Sequence, residues 1–449
     1  MKAAPVAAAR WRYLTTGALL IAFAVVLIGR LVMLQMTDGG QGATFLREQG
    51  AMRTVRTAEI PVYRGLIEDR HGTPLAISSP VVSLWANPQQ LKDSPRLAEL
   101  SSLLGVDGVM LKDKLDLYGS KHFMYLARHQ TPDFARQILQ GGFPGVRGER
   151  AYRRYYPAGE VTAQVLGLTN VDGEGIAGIE LAFEQWLQGV PGKKRFIKDL
   201  HGEAVRDFGL ITKPRPGKAL SLSLDLRLQY VQHRELQRAM KETGAIAGSA
   251  ITVDAWTGEI LAVSNYPVFN PNNREAFDYG AARNRALTDV YEPGSTIKTL
   301  TLVAALESGK FTIESLVDTA PGRIRVGAKV LHDPRNYGEI SVSKIIEKSS
   351  QVGVTKLAQA VGHEAVLDVL LRFGFGEQTG TGFPGERAGF LPSMVHWSEI
   401  EKVTLAFGYG LNATPIQLAQ AYSILANDGV KQPLTLLKQE RETLPVGKR

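Results

Sequence analysis

Cysteine is absent from all 449 residues, which excludes disulfides, thiolate nucleophiles and cysteine-held metals. Its absence suits an oxidising compartment without establishing one. The eight histidines are scattered. His122 and His129 are too far apart, and His363-Glu364 lacks a second ligand, so no zinc spacing exists. Every histidine therefore reads as structural or solvated. Lys and Arg exceed Asp and Glu only by 52 to 44. Part of that excess sits in Lys2, Arg10 and Arg12, and part in Arg147, Arg150, Arg153 and Arg154. No long basic run interleaved with aromatics occurs, so nucleic acid is not an expected partner. Internal repeats and low-complexity tracts are missing too.

One membrane-length apolar stretch is present, Leu14 to Leu34, interrupted only by Arg30 near one end, where its long side chain can snorkel. A cleaved signal peptide is the alternative, but the stretch is long and no small-x-small cleavage site follows. An uncleaved transmembrane helix over 14–34 is expected. Lys2, Arg10 and Arg12 precede it and place residues 1–13 in the cytoplasm as a short tail. The bulk of the chain then lies outside, in the periplasm of a cell with an inner membrane.

Residues 41–220 form a first exported region of mixed helix and strand, and the chain is long enough for two or three domains. Arg64-Gly65 leads through Asp69-Arg70-His71-Gly72, turn chemistry that predicts a hairpin into the alternating stretch Pro74 to Trp85. A helix is expected over Leu181 to Leu187, before Gly189-Val190-Pro191-Gly192. Lys213 to Gly217 has linker composition. A second domain, 221–449, then begins after an expected strand, Leu220 to Leu224, with an amphipathic helix from Leu226 to Lys241. Ala250 to Val253 and Glu259 to Ser264 make a second hairpin about the turn Asp254 to Gly258. Thr414-Pro415-Ile416-Gln417 is a capping box with proline at the first helical position.

The chemistry centres on Glu292-Pro293-Gly294-Ser295-Thr296-Ile297-Lys298. Pro293-Gly294 is a breaker pair before an apolar helix, so Ser295 falls in the first turn with Lys298 three residues on, on the same face. A serine hydroxyl is a weak nucleophile until a neighbouring base takes its proton, and a desolvated lysine can be that base. The positive end of the helix dipole also favours a developing alkoxide. Ser-x-x-Lys alone occurs by chance in many helices, so its weight depends on the rest of the chain.

Several further motifs stand in order and spacing around it: Arg64-Gly65 to Asp69-Arg70-x-Gly72, Arg154-Tyr-Tyr-Pro157-x-Gly159, and Gly178-Ile-Glu180. They continue with Asp225-x-Arg227-x-Gln229, Arg283-Asn284-Arg285-Ala286, Lys348-Ser349-Ser350-Gln351-Val-Gly353 and Gly408-Tyr-Gly410. On these the chain resembles the class B penicillin-binding proteins, most closely the septal cell-division transpeptidases, from the anchor to about residue 435. The resemblance implies an α/β, multidomain chain: a transmembrane helix, a mixed α+β pedestal domain of the dimerisation type (41–220), and a serine penicillin-recognising transpeptidase domain (221–449). It implies peptidoglycan D,D-transpeptidation at the septum, with Ser295 attacking the D-Ala-D-Ala carbonyl of a stem peptide and an amine from a neighbouring strand taking the acyl group. Lys298 is then the expected base, Ser349 a proton relay, and Gln351 a substrate-binding group. Arg64, Gly65, Asp69, Arg70, Gly72, Gly178 and Glu180 are expected to be architectural. β-Lactams would acylate Ser295. Division-complex proteins and a glycosyltransferase are expected partners, and neither metal nor organic cofactor is expected.

Two departures from the family pattern stand out. Its second motif, Ser-x-Asn, reads Ser349-Ser350-Gln351 here, with the same amide on a longer stem. Its third motif, Lys-Thr/Ser-Gly, is not found; the nearest strings are Trp256-Thr257-Gly258 and Gln378-Thr379-Gly380. The expectation is a C-terminally incomplete transpeptidase domain, missing one oxyanion donor. An alternative function follows, a catalytically impaired membrane-anchored division scaffold. A β-lactam sensor is disfavoured by the short N-terminal tail.

Overall fold

The computed structural model describes residues 10–36, 55–198, 204–273, 278–392 and 397–440. Lys2 and the rest of the expected tail to residue 9, the beginning of the expected pedestal to residue 54, and the charged tail from 441 lie outside the described residues. The chain divides into two compact units, residues 1–62 with 190–215, and residues 63–189 with 216–449.

The first unit contains the helix Arg10–Met36, the one helix among the described residues long and apolar enough to cross a membrane. Its side chains from Trp11 to Met33 are exposed, as an apolar helix awaiting a lipid environment requires. The same unit holds a three-stranded antiparallel sheet in which Val55–Ile60 and Ala204–Thr212 flank Gly192–Lys198.

In the second unit, the expected first hairpin forms between Ile67–Glu68 and Pro74–Ala86. Gly72, at φ +85°, supplies the left-handed residue that closes its turn. Pro74–Ala86 also pairs with Met124–Gln130 and, along most of its length, with Val146–Tyr155. Helices around this sheet enclose a core of Leu84, Leu100, Leu115, Ile138 and Phe143.

Two expectations differ in detail. The helix expected over Leu181 to Leu187 begins earlier and is broken: Gly178–Ala182, then Glu184–Leu187. The early start follows from Gly178, whose φ of +59° turns the chain abruptly and carries Glu180 inward. Of the strand expected over Leu220 to Leu224, only Leu220–Ser221 joins the sheet, in parallel with Ile67–Glu68. Leu222 N still donates to Glu68 O at 2.9 Å, but Ser223 N donates to Leu436 O at 2.9 Å, a contact too distant in sequence for local pattern to reveal.

The amphipathic helix runs Leu226–Thr243, capped by the Asp225 carboxylate and ended by Gly244 at φ +66°. It packs on the second hairpin, Gly248–Val253 with Ile260–Tyr266. Beyond it a helical layer builds a core from Ile297, Leu300, Leu370, Phe375, Leu405 and Ile424. The capping box at Thr414 forms as expected, with Thr414 and Gln417 satisfying each other's backbone N–H groups. That core fixes the helix start on which Ser295 sits.

Candidate active site

Residues Gly294–Ile297 form a 3₁₀ turn that runs directly into the helix Lys298–Glu307. Ile297 and Leu300 are buried in the helical core while Ser295 is exposed, so the helix is pinned by one face and presents the hydroxyl on the other. Several bonds hold the turn. Gly294 N donates to Gly408 O at 3.1 Å, Gly410 N to the Glu292 carboxylate at 3.0 Å, and the Tyr422 hydroxyl to Thr296 O at 2.9 Å. A Cβ placed on Gly408 would lie 2.0 Å from Gly294 O, so only glycine lets the two backbones meet there.

Lys298 is only 5% exposed. Its Nζ donates to Ser349 O at 2.6 Å and to Ser349 Oγ at 3.0 Å. Burial pushes the ammonium below its ordinary lysine value, and the Asp333 carboxylate opposes that fall. Ser349 occupies the short join between helices Val342–Glu347 and Gln351–Val361, at φ +50°, a conformation that costs a non-glycine residue roughly 1–3 kcal/mol. The surroundings hold it there. Ser350, fully buried, caps the second helix by accepting from Gly353 N at 2.8 Å and donates its hydroxyl to Asp333.

Ser295, Lys298, Ser349 and Gln351 line one cavity of about 500 Å³. His332, Asp333, Pro334, Lys348, Phe407 and Tyr409 complete its wall. The four residues expected to act together are thus brought together. Asp333 was not anticipated: it is 8% exposed and accepts from Ser350 Oγ at 2.6 Å, Gln351 N at 2.6 Å and Val352 N at 3.1 Å. Asp333-Pro334 signals a turn in the sequence, but nothing local links it to a helix start eighteen residues on.

The strings nearest to Lys-Thr-Gly lie elsewhere. Thr257 sits in the turn of the second hairpin and bonds to Glu259, and Thr379 gives both its N–H and its hydroxyl to Glu386. Neither lines the cavity.

The other singled-out residues form two clusters. Glu180, fully buried, accepts from Arg64 Nε at 2.5 Å and from Arg154 Nε at 2.6 Å, and Arg154 also reaches Gly65 O at 2.8 Å. Asp69 accepts from His71 N, Thr73 N and Leu226 N, at 2.9, 2.8 and 3.2 Å. Burial works against its charge, but these N–H groups outweigh it and hold the carboxyl below its usual range. Arg70 bonds to Glu259 at 3.2 Å, so Asp69 and Arg70 tie the first hairpin to the Leu226–Thr243 helix and the second hairpin. Glycines 65, 72 and 178 serve turns and close approaches of backbone around these clusters.

Two family models match the chain. The penicillin binding protein transpeptidase domain matches residues 248–448, and the penicillin-binding protein dimerisation domain matches residues 59–222. The chain is 40% identical over 435 residues to the peptidoglycan D,D-transpeptidase FtsI of Escherichia coli, covering 95% of this chain and 73% of that one. It is 36% identical over 434 residues to FtsI of Buchnera aphidicola, covering 95% and 75%. Among solved structures, penicillin binding protein 3 of Mycobacterium tuberculosis complexed with aztreonam superposes with a TM-score of 0.63 at 28% identity, over 85% of this chain and 68% of that one. The PBP2–MreC complex of Helicobacter pylori gives a TM-score of 0.72 at 22% identity, over 88% and 80%, a likeness of fold.

Proposed function

The chain belongs to the class B penicillin-binding proteins, the peptidoglycan D,D-transpeptidases of septal type, and from that premise we propose that Ser295 is the nucleophile that cross-links stem peptides through an acyl-enzyme. Lys298, entering neutral, takes the proton of Ser295 Oγ as the oxygen attacks the carbonyl of the penultimate D-Ala. The C–O bond forms, the peptide C–N bond breaks, and the proton passes by way of Ser349 Oγ to the departing D-Ala amine. An amine of a neighbouring stem peptide then attacks the ester carbon. The C–O bond breaks, the proton returns to Ser295, and a 4→3 cross-link remains. A β-lactam would be opened by the same oxygen, with no leaving group to depart.

The observation that carries this reading is the pairing of an exposed Ser295 with a buried Lys298 in one cavity. Desolvation disfavours the ammonium, and Ser349 gives the amine a hydrogen-bonded route onward. Gln351 would orient substrate through its amide. The N-terminal helix would anchor the chain in the inner membrane with its start in the cytoplasm and its bulk in the periplasm, among division-complex proteins and a glycosyltransferase.

A second reading has one specific support: Gln351, where the family pattern has asparagine, carries its amide on a longer and looser stem, and a misplaced group near the chemistry can cost up to about 10²-fold. On that reading the chain is a membrane-anchored scaffold with an impaired site. Fluorescent-penicillin labelling of the full chain in membranes, with Ser295→Ala alongside, separates the two. Labelling that disappears in Ser295→Ala supports the enzyme. Absence of labelling from a cooperatively melting protein would leave the scaffold reading.

A further inference from the structure

The helix Gly108–Leu117 carries apolar side chains on two sides, and only one side is packed. Leu111 and Leu115 enter the core with Leu84, Leu100 and Ile138. On the other side Val109, Met110 and Leu117 are 69, 71 and 78% exposed. At helical spacing these three fall within an arc of about 100°. A surface helix ordinarily turns polar residues outward, so an apolar outer stripe marks a face that lacks its partner.

Lys114, one helical turn on from Met110 and one before Leu117, links the stripe to a cavity of about 490 Å³ that it lines with Tyr118, Lys121, His122, Phe123, Met124 and Tyr125. Phe123 is 43% exposed. Its ring centroid lies 5.0 Å from that of Trp85 and 4.8 Å from that of Tyr125, so its position is fixed before anything binds. Lys114 Nζ donates to Tyr125 O at 3.2 Å, and Lys121 Nζ lies 5.0 Å from the Tyr118 ring centroid. Among the described residues neither ammonium has a carboxylate partner.

We propose that this surface docks an acidic, amphipathic segment of a partner protein. Its apolar side chains would cover Val109, Met110 and Leu117 and enter the cavity against Phe123, while its carboxylates meet Lys114 and Lys121. Preformed aromatic anchors beside cations are what binding hot spots consist of. Charge complementarity of this kind sets orientation and speeds encounter. Asp113 lies inside the apolar arc and fixes register, since the partner residue facing it must be polar or basic. The concavity argues against a membrane, since it accepts a protruding side chain better than a plane of headgroups. The aliphatic stripe offers no hydrogen bond to a saccharide.

The test places a photoreactive benzoylphenylalanine at Leu117 or Phe123 of the full chain in membranes of its own organism, with Ile246, 90% exposed, as control position. The expected result is an adduct to an acidic amphipathic segment of another protein. A synthetic peptide of that segment should bind the purified full chain, at least about tenfold more weakly in the Lys114→Glu/Lys121→Glu variant and more weakly as salt rises. Leu117→Asp alters a side chain in solvent, so it should abolish the adduct with the melting temperature unchanged even if the double variant folds poorly. Adducts only to a second copy, to lipid or to glycan overturn the proposal. So does a yield no higher than at the control position, or peptide binding indifferent to charge reversal.

Discussion

Ser350 Oγ donates to Asp333 Oδ2 at 2.6 Å, while the other oxygen of the same carboxylate accepts from the backbone N–H groups of Gln351 and Val352. Ser350 is wholly buried and Asp333 nearly so. One carboxylate thereby holds the first turn of the Gln351–Val361 helix, and that turn holds Ser349 in its left-handed conformation against Lys298.

Asp333→Ala should therefore destabilise the protein and slow acylation together. It leaves the Ser350 hydroxyl and the helix N–H groups without their acceptor, and a buried unsatisfied group costs about 1–3 kcal/mol. A lower thermal midpoint with slower penicillin labelling is the expected pair of results, and an unchanged midpoint would count against the anchoring role.

Asp333→Asn should separate geometry from charge. The Asp333 carboxylate raises the Lys298 value that burial lowers, so its neutralisation should push Lys298 further down. More of the amine is then neutral at a given pH, and the rising limb of the acylation rate against pH should move to lower pH. A lowered native value also means the unfolded chain binds the extra proton. Stability should rise with pH between the native Lys298 value and the ordinary lysine range. Acylation rates across neutral to alkaline pH, in both forms, check the direction.

Gln351→Asn should speed acylation by β-lactam. Gln351 lines the cavity with a longer and looser stem than the asparagine of the family pattern, and a misplaced group near the chemistry can cost up to about 10²-fold. The second-order labelling constant measures the effect. A slower variant would mean that glutamine is matched to this cavity.

Glu180→Ala should unfold the first hairpin's surroundings without touching the cavity. Arg154 loses its carboxylate partner while Arg64 keeps Glu184 at 2.7 Å, and breaking such a buried pair from one side costs about 3–5 kcal/mol. A large drop in the denaturation midpoint is expected. Survival of the wild-type midpoint would show that the two guanidinium groups find other acceptors.

Gly408→Ala should abolish labelling while sparing most of the fold, because its Cβ would enter the Gly294 carbonyl and displace the Ser295 turn. Circular dichroism beside penicillin labelling distinguishes a displaced turn from a collapsed domain.

Much of the architecture was legible because it rests on local chemistry. Asp225 capping the Leu226–Thr243 helix, the Thr414 capping box, the turn at Gly72 and the two hairpins all follow from residues within a few positions of each other. The turn of Ser223 away from the sheet to Leu436 was not legible, since it depends on a partner far along the chain. Glu180 was recognisable as part of a motif, but its task, neutralising two buried arginines ninety residues apart in the chain, is a fact of packing.

The sequence by itself determined the nucleophile's setting. A breaker pair, a serine and a lysine three residues later on an apolar helix must place hydroxyl and amine on one face, because the helix repeat leaves no other arrangement. It also determined the membrane-length helix, through a run of apolar side chains interrupted only by Arg30 near one end. Tertiary structure alone decided that Lys298 is desolvated, that Ser349 reaches it from fifty-one residues away, and that Asp333 anchors the turn between them. Burial and hydrogen bonding across such separations depend on which faces the cores of the second unit bring together, and no local pattern encodes that.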